Sequence, residues 1–221
     1  MTDARCAVVV LISGNGTNLQ ALIDKSTDSN YHVTAVISNN PNAFGLQRAR
    51  RAGIPTAVLS HRQFRDRETF DTALMGEIEK HENHLIVLAG FMRILSPMFV
   101  SHFHGRILNI HPSLLPLYPG TGTHRRVIEA GDRDHGASVH FVTEALDSGP
   151  VIVQGKVKVT ATDTDDTLMA KVAAREHKIY PYAVSLFASG LLRMEGQQAV
   201  MEGKPLPPCG IDFESLSPNQ V

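Results

Sequence analysis

The sequence predicts an α/β fold: a doubly wound, mostly parallel sheet with an antiparallel C-terminal part. Three observations lead there. Continuous apolar, β-branched runs such as Cys-Ala-Val-Val-Val-Leu-Ile at 6–12 suit strands covered on both faces, as parallel strands are. Helix-period segments alternate with these runs, the pattern of repeating βα units. The 221 residues are 43% hydrophobic with 17 glycines and 12 prolines, a composition that packs a core and argues against a disordered or fibrous chain. One domain over 1–221 is expected, with a loosely ordered tail from about 203, where Pro, Ser and Asn concentrate.

The first strand, 6–12, runs into Ser-Gly-Asn-Gly-Thr-Asn at 13–18, a turn that opens a helix at 17–24 with Leu19, Leu22 and Ile23 on one face. A second strand is expected at 33–38, a helix at 44–52 closed by Gly53, and a third strand at 56–59. Residues 64–82 read as one long amphipathic helix, and 84–90 as a buried strand ending in glycine. A short strand at 106–110 continues directly into His-Pro-Ser-Leu-Leu-Pro-Leu-Tyr-Pro-Gly at 111–120. Its three prolines exclude a helix there; the sequence does not decide whether any of them is cis, and Leu115-Pro116 is the first bond to inspect. Strands at 137–142 and 151–159 flank Glu-Ala-Leu-Asp-Ser-Gly-Pro at 144–150. A long helix covers 165–189, capped by Asp163 or Thr164 and tolerating a kink at Pro181. In sheets of this kind, ligands bind beyond the carboxyl ends of the strands.

The 21 Lys and Arg nearly cancel the 22 Asp and Glu, leaving a formal charge of -1. That balance lacks the basic footprint of a phosphodiester-binding surface, so no nucleic-acid partner is expected. Residues 1–5 are polar, and the apolar run behind them is too short for a membrane span and lacks signal-peptide flanks. A soluble, cytoplasmic protein without a membrane partner is expected. Cys6 and Cys209 do not indicate a disulfide. Among 11 histidines there is no His-Glu-x-x-His spacing and no Cys/His cluster at zinc-ligand spacing, so no metal is expected.

Gly14-x-Gly16 superficially suggests a dinucleotide fingerprint, but Leu19 stands at the third glycine position. The strand at 33–38 also ends in Ser-Asn-Asn without an acid for a ribose, and no Gly-Lys-Ser/Thr loop is present. Two readings of the turn stay open. Backbone N–H groups of Gly16, Thr17 and Asn18 at a helix N-terminus can hold a small phosphate, with the Thr17 hydroxyl as a further donor. Alternatively, the glycines only permit a tight turn.

Asn109, His111 and Asp147 each have a plain reading as a strand-end cap, a loop imidazole bonded to a carbonyl, and a turn former. Together they suit acyl transfer to an amine. A neutral amide and an imidazolium stabilise a developing oxyanion, while a carboxylate holds the imidazole charged and handles protons.

The strings at 13–18, Leu-Ala-Gly-Phe-Met-Arg-Ile-Leu-Ser at 88–96, Asn-Ile-His-Pro-Ser-Leu-Leu-Pro at 109–116 and Leu-Asp-Ser-Gly-Pro at 146–150 occur in one order. Over roughly residues 6–208 the sequence with these strings resembles the phosphoribosylglycinamide formyltransferase family of folate-dependent enzymes. The resemblance implies a Rossmann-like formyltransferase fold and a step of purine biosynthesis. The amine of 5'-phosphoribosylglycinamide, or glycinamide ribonucleotide, attacks the formyl carbon of 10-formyltetrahydrofolate. Formylglycinamide ribonucleotide and tetrahydrofolate leave. The folate is a co-substrate, no metal takes part, and the protein is a monomer or homodimer.

Carried over by motif, Asn109 donates to the oxyanion, His111 assists in its charged form, and Asp147 orients His111 and relays protons through water. The resemblance assigns Ser13, Gly14, Asn15, Gly16, Thr17 and Asn18 to the ribonucleotide, with the phosphate on the backbone of 16–18, and Glu176 to the ribose hydroxyls. It assigns Phe91, Met92, Arg93, Ile94, Leu95, Val142, Thr143, Glu144 and Leu146, with Asn109 and Asp147, to the folate, and Arg67 to its tail carboxylate. Read from the residues alone, Phe91, Ile94 and Leu95 suit a core, Arg67 and Glu176 a solvated helix face, and His140 a strand with a satisfied hydrogen bond. Thr121, Gly122 and Ala173 depart from the family pattern at positions that can contact the nucleotide.

Alternatives share the folate but not the acceptor. A methionyl-tRNA formyltransferase calls for a further RNA-binding domain and a basic surface, which length and charge oppose. A formyltetrahydrofolate hydrolase calls for an extra N-terminal domain and has no use for a phosphate turn. Sugar-nucleotide formyltransferases are usually longer. A non-catalytic binder would most readily have lost Asn109, His111 or Asp147, and all three are present.

Overall fold

In the computed structural model, which describes residues 5–217, strand β1 (Cys6–Ile12) lies between β2 (Tyr31–Ser38) and β4 (Leu85–Leu88), parallel to both. Residues 7–12 are fully buried, which is why their side chains are apolar at every position rather than at alternate ones. The chain forms two compact units, 1–109 and 110–221.

In the first unit β3 (Thr56–Val58) pairs with β2, and β5 (Ile107–His111) pairs through residues 107–109 with β4, all parallel. The strand order is β3-β2-β1-β4-β5. Leu11 is in register with Leu88, and Leu88 with Asn109, so Ser13, Gly90 and Asn109 follow one another along the carboxyl edge. Ser13 N donates to Gly90 O at 3.1 Å, closing that edge. The connections carry α1 (Thr17–Ser26), α2 (Gly45–Arg51), α3 (Arg67–Ile78) and α4 (Pro97–His102).

In the second unit, α5 (Thr123–Ala130) precedes β6 (Asp134–Phe141), which pairs antiparallel with β7 (Val151–Lys158). Helix α6 (Asp165–Ala188) packs on both strands. Strands β8 (Leu192–Glu195), β9 (Gln198–Met201) and β10 (Lys204–Pro205) form a separate antiparallel sheet, and β11 (Ile211–Asp212) runs parallel to β7. The predicted α/β class, with mostly parallel pairing and an antiparallel C-terminal part, is what these elements form.

Four local differences have physical causes. The helix expected at 64–82 is α3, because Asp66 Oδ1 accepts from Thr69 N at 2.8 Å and fixes the start. Helix α4 was not foreseen, although Ser96 as cap followed by Pro97 is a start signal. Helix α5 was also missed; it begins and ends at left-handed glycines, Gly122 and Gly131. Where a loose tail was expected, β10 and β11 form and Phe213 is buried. The tail reaches β7 because a Cβ at Gly210, with φ +67°, would lie 2.5 Å from Ile152 C; Lys156–Asp212 and Arg175–Glu214 ion pairs then border it. Residues 218–221 lie outside the described range. The peptide between Leu115 and Pro116, the bond singled out for inspection, is cis.

Candidate active site

The glycine turn of the first unit is braced from α2. Gly16 has φ +75°, and a Cβ there would lie 2.7 Å from Gly45 Cα, so turn and helix meet backbone to backbone. Gly45 N donates to Gly14 O at 3.1 Å. Arg48 donates from Nε to Asn15 O at 2.9 Å, from Nη2 to Asn15 Oδ1 at 3.0 Å, and from Nη1 to Gln20 Oε1 at 3.3 Å, while its guanidinium lies over Phe44. No side chain caps α1 and no acid sits in its first turn, so the positive end of the helix faces outward beside exposed Gly14, Asn15 and Thr17. Asn18 is half-buried behind them.

Ser13 is engaged elsewhere. Its hydroxyl donates to Asn39 Oδ1 at 2.6 Å and accepts from Met92 N at 2.8 Å, tying the turn to the segment after β4. In that segment Phe91 and Leu95 are core residues, whereas Met92 is 74% and Ile94 56% exposed. Arg93 lies over the Phe70 ring. Arg67 is exposed at the start of α3, and Asn109 is half-buried on β5.

The second unit brings His111, His140 and Asp147 together. His111 Nε2 is 2.9 Å from Tyr118 O, and its Nδ1 is 3.4 Å from Asp147 Oδ2. Both neighbours are hydrogen-bond acceptors. Asp147 has φ 48°, and its Oδ2 also accepts from Gly120 N at 2.9 Å. His140 Nδ1 donates to Phe141 O at 2.8 Å, and its Nε2 is 4.0 Å from Asp147 Oδ1. Burial pushes His140 down to about 4, against the opposing pull of the Phe141 carbonyl and Asp147, so it is neutral at pH 7.

The remaining candidates are more scattered. Val142 and Thr143 are half-buried; Glu144 and Leu146 are exposed on the connection from β6 to β7. Glu176 is half-buried along α6. His124 and His135 share one hydrogen bond at 2.9 Å, and burial lowers both, His135 to about 4. A groove of about 760 Å³ along α6 contains none of the predicted site residues, and most of its cations are paired: Lys156 with Asp212, Lys158 with Asp134, Lys171 with Asp163. Sequence reasoning missed Arg48 and Tyr118. Arg48 meets the turn 33 residues away, a separation no local pattern reports, and Tyr118 acts through its backbone.

Among the described residues, no group of three or more His, Cys, Asp or Glu could hold a metal ion, and no helix is long and apolar enough to cross a membrane. The chain belongs to the formyl transferase family, whose model matches residues 6–184, and it is a transferase. Within that family the similarity narrows to one enzyme type. The phosphoribosylglycinamide formyltransferase of Escherichia coli (strain K12) is 56% identical over 205 residues, 92% of this chain and 97% of that protein. The one from Haemophilus influenzae is 44% identical over the same shares of the two chains. A solved phosphoribosylglycinamide formyltransferase from Coxiella burnetii matches with a TM-score of 0.91 and 48% identity, covering 95% of this chain and 99% of that one.

Proposed function

We infer that the chain transfers the formyl group of 10-formyltetrahydrofolate to the amine of 5'-phosphoribosylglycinamide, a step of purine biosynthesis. The observation that carries the reading is the His111 ring set between two acceptors, with Asn109 two residues earlier on the same strand, where alternate residues share a face.

The amine nitrogen attacks the formyl carbon, and the carbonyl electron pair moves onto oxygen as the new C–N bond forms. The Asn109 amide donates to that oxyanion, and the charged His111 ring assists by stabilising it electrostatically. Asp147 holds the ring charged. Through water it takes a proton from the attacking nitrogen and returns one to the folate nitrogen, which leaves as neutral N–H when its bond to the formyl carbon breaks.

The ribonucleotide phosphate lies on the first-turn N–H groups of α1, with Glu176 on the ribose hydroxyls. Met92 and Ile94 give the folate an apolar wall, the backbone of 142–146 gives it donors and acceptors, and Arg67 meets its tail carboxylate. No metal takes part. The protein works in the cytoplasm as a single-domain monomer or homodimer, without nucleic-acid or membrane partners.

Replacing Asn109 with Ala removes one oxyanion donor and lowers kcat about 10²–10³-fold, with a modest change in KM, in a steady-state assay. A kcat within twofold of the unaltered protein would remove Asn109 from the oxyanion site.

A further inference from the structure

We propose that Ser13 is a positioning residue for the folate, although it opens the turn read as the ribonucleotide's: its hydroxyl fixes the backbone at Met92, and Asn39 fixes the hydroxyl. The inference rests on 91–95 being the folate wall, as set out above. Beyond β4 the chain enters residues 89–96, which form neither helix nor strand, and Gly90 turns there with φ +74°. Phe91 and Leu95 sink into the core, while Met92 and Ile94 between them are exposed. With no ladder or helix to hold it, this stretch keeps its shape through the groups that bond its backbone at either end.

Ser13 supplies one end. Its N donates to Gly90 O at 3.1 Å, and its Oγ accepts from Met92 N at 2.8 Å, so one residue grips the chain on both sides of Phe91. At the other end Ser96 N donates to Asp71 Oδ2 at 2.6 Å, with Asp71 buried on α3. The exposed side chains read as the folate wall lie between these two anchors.

The direction of the Ser13 hydroxyl is set as well. A hydroxyl has one proton and two lone pairs. The proton goes to Asn39 Oδ1 at 2.6 Å, which leaves a lone pair for the Met92 N–H. Asn39 is 6% exposed, and its Nδ2 lies 3.4 Å from His61 Nδ1, so its donor end is turned to His61 and its acceptor end to Ser13. Asn40 Nδ2 donates to Ser13 O at 3.1 Å. The end of β2, where a dinucleotide fold carries an acid for the ribose, thus leads into two amides that hold Ser13. A tight turn calls for no hydroxyl at position 13, and both bonds made by the backbone of that residue survive its loss. Only the bonds to Met92 and Asn39 need it.

The test reads Ser13→Ala, Ser13→Thr and Asn39→Leu in the full chain by amide hydrogen exchange and by calorimetric binding of tetrahydrofolate, with KM for both substrates alongside. In the unaltered protein the Met92 amide exchanges slowly although its side chain is exposed. In Ser13→Ala that amide exchanges at least about tenfold faster, and both Kd for tetrahydrofolate and KM for 10-formyltetrahydrofolate rise about tenfold. KM for the phosphorylated acceptor stays within about twofold. Asn39→Leu moves the same quantities in the same direction, and Ser13→Thr, which keeps the hydroxyl, restores them. A Met92 amide that exchanges freely in the unaltered protein overturns the anchor, as does a Ser13→Ala effect confined to Tm or to KM for the acceptor. If Ser13→Ala does not fold, Asn39→Leu gives the same reading. An unaltered protein that protects the Met92 amide but binds no tetrahydrofolate overturns the folate reading itself, and the proposal with it.

Discussion

Asp147 faces two imidazoles, and their hydrogen-bond partners distinguish them. His140, pushed down to about 4, keeps its proton on the nitrogen that bonds Phe141, whereas both nitrogens of His111 point at acceptors. Asn109, His111 and Asp147 stand out in the sequence because each sits in a short contiguous string, and the structure brings His111 and Asp147 together. Their partners do not stand out, since Tyr118 contributes a carbonyl and Arg48 reaches its target across 33 residues. Arg48 gives the residue-scale prediction. It holds the carbonyl and side chain of Asn15 and adds a positive charge beside the turn proposed to bind phosphate. Replacing it with Met raises KM for the phosphorylated acceptor about tenfold, equivalent to about 1.4 kcal/mol, and leaves KM for the folate unchanged. Parallel steady-state titrations of the two substrates check this, and equal changes in both KM values would contradict it.

At the scale of elements, the strands and first helix were legible because burial on both faces of a parallel sheet leaves near-continuous apolar runs, as in β1 and β4. The length of α3 was not, because periodicity continued past the point where Asp66 caps the helix. The tail was misjudged for a related reason. Its order comes from backbone pairing to β7 and from ion pairs, neither of which composition reveals. The turn before α1 is different, since its glycines announced themselves but left open why they were needed. Gly16 adopts φ +75° and lies against the backbone of Gly45. Gly16→Ala is expected to cost about 1–3 kcal/mol of stability from backbone strain alone. Denaturant unfolding measures it, and a loss below about 0.5 kcal/mol would contradict the strain assigned to this position.

For the molecule as a whole, the charge of -1 fits a reading in which a single phosphate is held by helix N–H groups rather than by a basic surface. Stability should depend on pH through the buried histidines. His135 and His140 are lowered from 6.5 to about 4 by burial, so between those values the unfolded chain binds more protons than the folded one. Their contribution is fully present above about 6.5 and is lost as pH falls toward about 4. Tm should fall over that window, and His140→Gln should flatten the fall; an equal slope in the variant would contradict the assignment. The central claim, formyl transfer to a phosphorylated amine, is tested most directly by following tetrahydrofolate formation with and without 5'-phosphoribosylglycinamide. Turnover that requires the acceptor and yields formylated ribonucleotide in equal amount is predicted, and turnover at the same rate without it would show hydrolysis instead.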